Sequence, residues 1–573
     1  MAEVVQLCFR SNSEKRVDKD DIQHLSERVL PDNFTPDPPV VVENDRYLIG
    51  VLNPRGAYVR EDSVGLGTIL DDDWTELGSQ TPEGSFAIFR NDSKYTELVS
   101  DIVGSRTIWY GFTDELFVAS TLQRAVVSFL QEYTPDPQAQ AWMLSAGMLG
   151  PYRSWAKEVE QLRPNTILRL DRDSWEIENR HRPATFETVN RSPKEHYREM
   201  VDAIEETFSE WSVSPSSEVL TLSGGYDSRA LLHHLSSTHP EIETLTWGTP
   251  QSQETELSDA DIAQRLAQSY NVEHRFESLE TTDVSIETVI ERFIQAGEGR
   301  IDHLSGYLDG FSLWEGLHTR GTERVIRGDE GFGWIPPITR FTSPAHVRQG
   351  VGLTKMSDYD DLDTFDFSRQ RLPDHLDRME NEHLGDWRDR LYHDVRIPTT
   401  LAALNGLKSP YVELSNPLLS ARIISCVRQQ PVELRDDKNL FKQYVDSISP
   451  DVPYATRSAN PSLSSVLSTP EAVAYLDSEL ERAATSTELP QELVAHIHEH
   501  IEPSPPSPET HSSSVSNFVS MVKAHAPRTV IDAIKRFSDD NISPDYNRLA
   551  LRIVIIVRMN EILREDADMG YSA

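Results

Sequence analysis

Cysteine is almost missing from this chain: 573 residues contain only Cys8 and Cys426. Two thiols exclude a disulfide framework and a cysteine-based metal cluster. Lysine is also scarce, at 11 of the 55 basic residues, against 93 acidic ones. The net charge of −38 excludes a nucleic-acid groove or an anionic membrane surface as the main partner, because both need clustered cations. Long apolar runs are absent too. The longest, Ile553 to Val557, is far short of a bilayer span, and the opening MAEVVQLCFRSNSEKR lacks the apolar core of a signal peptide. The expectation is a soluble, cytoplasmic protein. Surplus carboxylate, with arginine preferred over lysine, reads as a halophile-like surface suited to a salt-rich cytoplasm. Disorder is excluded for most of the chain by a 38% hydrophobic and 8% aromatic content.

The length implies about two to four domains. In the first 180 residues VVENDRYLIGVLN, SFAIFR, TIWYG, LFVAST and NTILRLDRDSWEI read as strands, parted by Gly, Asp, Asn or Pro. Such spacing predicts an antiparallel layered domain. A helical segment over 193–212 leads into a different pattern. EVLTLSGGYDS is a strand, a glycine turn and a helix start; IETLTWG is a strand; LSDADIAQRLAQSYNV is an amphipathic helix; ERVIRGDEG is a strand ending in an acidic turn. Strands alternating with helices predict a parallel doubly wound sheet, with both glycine turns at the carboxyl ends of their strands. Residues 357–395 read as a solvated helical insertion, 502–515 (EPSPPSPETHSSSV) as a mobile loop, and 528–566 as helical.

The loop Leu222-Ser223-Gly224-Gly225-Tyr226-Asp227-Ser228 is the chief candidate site. Small residues let backbone approach a polyphosphate, and the helix start with its serine hydroxyls supplies donors. Asp227 would repel phosphate without a cation between them, which implies Mg²⁺. No GxxxxGK[ST] is present, which excludes the phosphate loop of kinase-like and GTPase-like proteins.

SGGYDS resembles the pyrophosphatase loop of the asparagine synthetase superfamily, which includes the β-lactam synthetases. Glu83 to Ile88 with Asp101 to Thr107, Trp109 and Tyr110 resembles the GxFAF…RDxxGxRPLYY pattern of that family's N-terminal domain, and Leu162 to Thr166 its LxPG turn. Glu323 to Glu330 is similar to the strand and acidic turn behind the phosphates, and Glu413 to Leu419 to the ExRxPFLD segment. Lys438, twelve residues before Pro450, is placed like the family's catalytic lysine. The resemblance spans about residues 40–460. It implies an α/β protein: a degenerate Ntn-type αββα glutaminase-like domain over 1–185, then a parallel doubly wound ATP-pyrophosphatase (PP-loop) domain over 186–573. It also implies an amide-forming ligase that adenylates a carboxylate with ATP, releasing pyrophosphate, and passes the acyl group to ammonia or an amine. Lys438 and Glu330 would be catalytic. Leu222, Ser223, Gly224, Gly225, Asp227, Ser228, Gly328 and Lys442 would hold ATP and pyrophosphate, and Asp227 and Asp329 would share Mg²⁺. The carboxylate partner would be a small molecule, peptide or glycan, and a family-like homodimer is a further implication.

The departures are specific. Glutaminase chemistry needs an N-terminal cysteine, whereas this chain begins Met1-Ala2 and Cys8 is internal; a buried strand thiol is expected there, and no glutamine hydrolysis. Arg229 replaces the serine common after SGGxDS, the turn from Gly328 to Trp334 is shortened, and Ser415 and Ser420 replace the Arg and Asp of ExRxPFLD. These changes leave a second reading: a non-catalytic nucleotide-binding or scaffold protein that kept the fold. His233, His234, His303, His496, His498 and His500 lack zinc-enzyme spacing and are expected at the surface or in the core.

Overall fold

In a computed structural model of the chain, the described residues are 2–11, 17–78, 80–279, 284–333, 343–365, 367, 370–484, 489–503 and 542–569. The strands between Glu3 and His181 form two six-stranded antiparallel sheets. The first runs Glu160–Gln161, Trp109–Phe112, Leu116–Ser120, Glu3–Phe9, Tyr47–Leu52, Val40–Glu43; the second runs Glu176–His181, Thr166–Asp171, Tyr95–Ser100, Gly84–Asn91, Ser63–Ile69, Tyr58–Arg60. Side chains alternate across each strand. Val4, Cys8, Ile49 and Val51 point between the sheets at Leu66, Phe89 and Leu168, while Val5, Leu7 and Leu48 face the helices Lys19–Val29 and Gln123–Leu130.

One expectation is corrected here. The layers run helix, sheet, sheet rather than αββα: among the described residues of 1–185, no helix lies on the second sheet's outer face. That face, with Phe86, Ile88, Val99 and Ile167, is closed by Trp74. Trp74 sits among turns over residues 72–78, where no helix forms.

The second part is built on a five-stranded, all-parallel sheet in the order His274–Ser278, Glu243–Gly248, Glu218–Thr221, Arg324–Ile326, Glu413–Ser415. By chain position that order is 3-2-1-4-5. Successive residues serve opposite faces. Leu220 and Ile326 pack with Leu231, Ile262 and Phe441 on one side; Val219 and Val325 pack with Ile290, Trp314 and Leu317 on the other. The doubly wound parallel sheet is therefore present. Its switch point lies between the first and fourth strands, whose following turns are 222–225 and 327–333.

The insertion expected to be solvated is also corrected. Helix Leu384–Leu391 continues into a π-helix, Tyr392–Leu401, and most of both is buried. The dense charge that suggested solvation is paired internally: Arg388 with Asp389 at 2.7 Å, Arg390 with Glu382 at 2.8 Å, and Arg435 with Asp389 at 2.8 Å. Of the loop expected at 502–515, residues 504–515 lie outside the described residues, as do 528–541 of the helical tail; helix Tyr546–Ala567 is formed. That helix ties the two parts together. Its Asp566 meets Arg124 at 2.7 Å, and its Arg552 meets Asp302 at 2.6 Å. Among the described residues no helix is long and apolar enough to cross a membrane.

Candidate active site

The loop after Glu218–Thr221 opens directly into helix Tyr226–Thr238. Gly225 is the N-cap and offers no side chain to the first turn, so the N–H groups there have no side-chain cap. A helix start left that way is an anion cradle. Ser228 Oγ ties the loop back on itself, accepting from Ser223 N at 3.1 Å and lying 3.0 Å from Ser223 Oγ. Gly224 is required by close packing: a Cβ there would lie 2.3 Å from Ala455 Cβ. Gly328 plays the same part on the facing turn, where a Cβ would come within 3.0 Å of Asp227 Cβ. Leu222 is buried, and Leu222, Ser223, Asp227, Ser228, Gly328 and Asp329 all line one cleft of about 240 Å³. Sequence reasoning therefore brought these six to one place.

Lys438 joins them from a distant helix. Its Nζ lies 3.0 Å from both oxygens of Asp227 and 2.7 Å from Glu330 Oε1. Glu330 is 5% exposed and Lys438 9%. Burial opposes the ammonium, but the two carboxylates outweigh it and raise the lysine above its ordinary range. Burial likewise pushes the Glu330 carboxyl up against the pull of Lys438. Two carboxylates round one ammonium leave the centre one negative charge in excess. Asp437 and Lys438 both adopt positive φ, 55° and 53°, an unfavourable backbone for non-glycine residues that marks a functional turn. The turn is held by Arg435, fully buried between Asp386 and Asp389.

Lys442 stands apart from the cleft lining. It pairs with Asp437 at 2.9 Å and lies over the Tyr226 ring at 5.2 Å. Asp329 pairs with Arg327 at 3.5 Å. Asp227 and Asp329 nevertheless face one cleft with hard oxygen donors, and among the described residues no third His, Cys, Asp or Glu completes a metal cluster with them. That donor set fits Mg²⁺, which binds through one or two carboxylates and takes its other ligands from phosphate and water.

Several residues of the site escaped the sequence reading. Asp259, at the start of helix Asp259–Tyr270, accepts from Gly224 N at 3.1 Å inside the cleft, and burial raises its carboxyl. Trp247 and Asn460 also line the cleft, and the buried Asn460 Oδ1 has no partner among the described residues. Tyr392, from the π-helix, donates to the Glu330 carbonyl at 2.8 Å and lies 3.3 Å from Glu330 Oε1. Single π-turns recur at functional sites, but no periodicity announces them.

The departures from the family pattern have structural accounts. Arg229 is 1% exposed; it donates to the carbonyls of Val452 and Pro453 at 2.8 and 2.9 Å and stacks on Tyr454. It thus anchors the segment that packs on Gly224. Cys8 is fully buried beside Thr96, and burial raises its thiol and so disfavours the thiolate. Glu413 binds Arg106 and accepts from Gly67 N at 3.1 Å, while Asp101 accepts from the N–H groups of Phe86 and Val103 at 2.8 and 2.9 Å. Glu413 thus joins the parallel sheet to the antiparallel part, while Asp101 fixes a turn within the antiparallel part.

Fold and site together define an α/β protein whose parallel sheet opens a polar cleft at its switch point, with Lys438 paired to Asp227 at its edge. No protein-family model matches the chain, and no curated protein does. Among solved structures, NMN synthetase from Francisella tularensis is similar at 21% identity, over 25% of this chain and 57% of that one, with a TM-score of 0.16. The match spans little more than half of that protein's length, and a likeness at that score establishes neither fold nor activity.

Proposed function

We propose that the chain is an ATP-dependent, AMP-forming ligase resembling asparagine synthetase. The observation that carries the reading is the meeting of Lys438 with Asp227 and Glu330 at the start of an uncapped helix. In this reading the triphosphate lies along Ser223 to Ser228, with the base toward Trp247 and Asn460. A carboxylate oxygen of the acid attacks the α-phosphorus, the bond to the bridging oxygen breaks, and pyrophosphate leaves. Ammonia or an amine then adds to the acyl carbon of the mixed anhydride, loses a proton, and AMP departs. Lys438 is held protonated by Glu330 and Asp227, so it offers fixed positive charge to the pentavalent phosphorus as negative charge grows there. Asp227 and Asp329 would hold Mg²⁺, which would supply charge neutralisation for the phosphate oxygens. Glu330 would receive the proton released by the amine, with Tyr392 fixing its carboxyl. In this reading residues 1–185 are a degenerate glutaminase-like domain that lacks one helical layer and hydrolyses no glutamine, and 186–573 carry the ligase.

The test is pyrophosphate exchange into ATP over a panel of amino acids and uronic acids, with and without glutamine. Exchange dependent on one acid supports the ligase. ATP binding with no exchange for any acid favours the scaffold reading, which the Asp259 carboxylate inside the cleft also motivates.

A further inference from the structure

A second cleft, of about 620 Å³, lies outside the nucleotide site between helix Pro193–Glu210 and helix Asn439–Ile448. Its floor is apolar, formed by Val201, Leu434 and Leu440 with the ring of Tyr197; its rim carries Lys194 and Arg198. Both cations are exposed, and neither has a carboxylate within ion-pair distance among the described residues. That is unusual in a chain with 93 acidic residues and only 11 lysines. The nearby acids are hydrogen-bonded elsewhere: Glu195 accepts from Ser192 N at 2.7 Å in the helix cap and feels Arg198 only beyond ion-pair distance, and Glu199 pairs with Arg191 at 2.8 Å. The rim also sits on the first two turns of its helix, whose dipole adds positive potential.

Leu434 and Leu440 bracket the turn Asp436–Lys438, whose Asp437 and Lys438 carry positive φ. Whatever fills the cleft therefore touches both ends of the segment that sets Lys438 against Asp227. We propose that this cleft is an effector site for an amphipathic monoanion, an alkyl carboxylate whose head meets Lys194 and Arg198 and whose chain lies on Leu434, Leu440 and Val201. The volume suits a small molecule. A bare anion leaves the floor wet, and a neutral alkane leaves both cations unmatched. The binding stands without the ligase reading; only its effect on turnover rests on it.

Octanoate is the probe, titrated calorimetrically into the full chain at low salt, with octanol and inorganic phosphate as comparators. The expected result is saturable one-to-one binding of octanoate, at least tenfold tighter than either comparator. Lys194→Glu with Arg198→Glu, both at exposed positions, weakens it at least tenfold, and Lys194→Arg with Arg198→Lys restores it. Saturating octanoate shifts pyrophosphate exchange at least twofold in the wild type and not in the charge-reversed variant. Phosphate binding as tightly as octanoate, equal octanoate binding by wild type and charge-reversed protein, or no saturable binding overturns the site. Intact binding with unchanged exchange overturns the effector role, while absent exchange with intact binding counts against the ligase reading alone.

Discussion

Lys438 Nζ reaches both carboxylate oxygens of Asp227 at 3.0 Å across 211 residues of chain, and Glu330 at 2.7 Å on its other side. One buried ammonium therefore keeps two carboxylates together. Replacing Lys438 with Met removes the cation between them and, in the proposed reading, the fixed charge offered to the phosphates. Turnover is expected to fall by about two orders of magnitude, on the order of 3 kcal/mol of transition-state stabilisation. Lys438→Arg is not expected to restore it, because a guanidinium fork does not fit a site shaped for a compact ammonium. Pyrophosphate release measures both, and an unchanged rate in Lys438→Met removes this residue from the mechanism.

The two glycines of the loop separate packing from ligand contact. A Cβ on Gly224 would lie 2.3 Å from Ala455 Cβ and 3.1 Å from Ala455 N, whereas on Gly225 it would meet only Ser223 Oγ, at 3.4 Å. Gly224→Ala is expected to cost about 1–3 kcal/mol in stability through overpacking. Gly225→Ala should leave unfolding nearly unchanged and lower affinity for ATP, because its added methyl group stands at the anion cradle. Chemical denaturation and nucleotide titration on both variants check the contrast. Equal stability losses would refute it.

How much of this was legible in the sequence differs by element. The glycine loop, the acidic turn after Arg324–Ile326 and Lys438 were readable because each demands a particular residue type at a particular place in the chain. The strand His274–Ser278 was missed because HRFES has no clear alternation, and Glu413–Ser415 because three residues are too few to show any. Residues 384–395 were misjudged, because buried ion pairs such as Arg388 with Asp389 look like solvated charge until their partners are known. Asp259 was read as part of an amphipathic helix; only the fold reveals that its carboxylate turns back to Gly224.

Arg229 looked like a lost serine and proves to be a tether. Its guanidinium holds the carbonyls of Val452 and Pro453 and lies 4.0 Å from the centre of the Tyr454 ring. Arg229→Ser leaves two carbonyls to find other donors and frees the segment that presses Ala455 onto Gly224. Amide exchange across 450–457 is expected to rise at least tenfold, while exchange in the strands Glu218–Thr221 and Glu243–Gly248 stays as in the wild type. Uniform acceleration across the sheet would mean that Arg229 supports the whole fold instead.

Asp259 places a carboxylate in the cleft proposed for triphosphate. Asp259→Asn keeps an acceptor for Gly224 N–H and removes the charge. ATP affinity is expected to rise severalfold, with the gain shrinking as salt is raised, since it is Coulombic. A weaker affinity at every salt concentration would show that the carboxylate helps to bind the nucleotide, not that it opposes binding.

His393 supplies the acid limit of stability near the site. Its ring is fully buried, lies 2.9 Å from the Gly331 carbonyl through Nε2 and accepts from Arg428 Nε at 3.2 Å through Nδ1, so the native ring is neutral. Burial first, then Arg428, hold its pKa down to about 3 from the ordinary 6.5, against the opposing pulls of the Gly331 carbonyl and Asp389. The unfolded chain takes up a proton below pH 6.5 that the native ring refuses until about pH 3. Stability from this group is therefore complete above 6.5 and falls by about 1.4 kcal/mol for each pH unit below it. Asp394 beside it, with its pKa pushed up to about 6 by burial, acts with the opposite sign and is present in every variant compared. His393→Gln should be less stable at pH 7 and should lose stability less steeply between pH 6 and 5, by about one proton. Urea unfolding at those three pH values measures the difference, and parallel slopes for variant and wild type would show that His393 titrates normally in the folded protein.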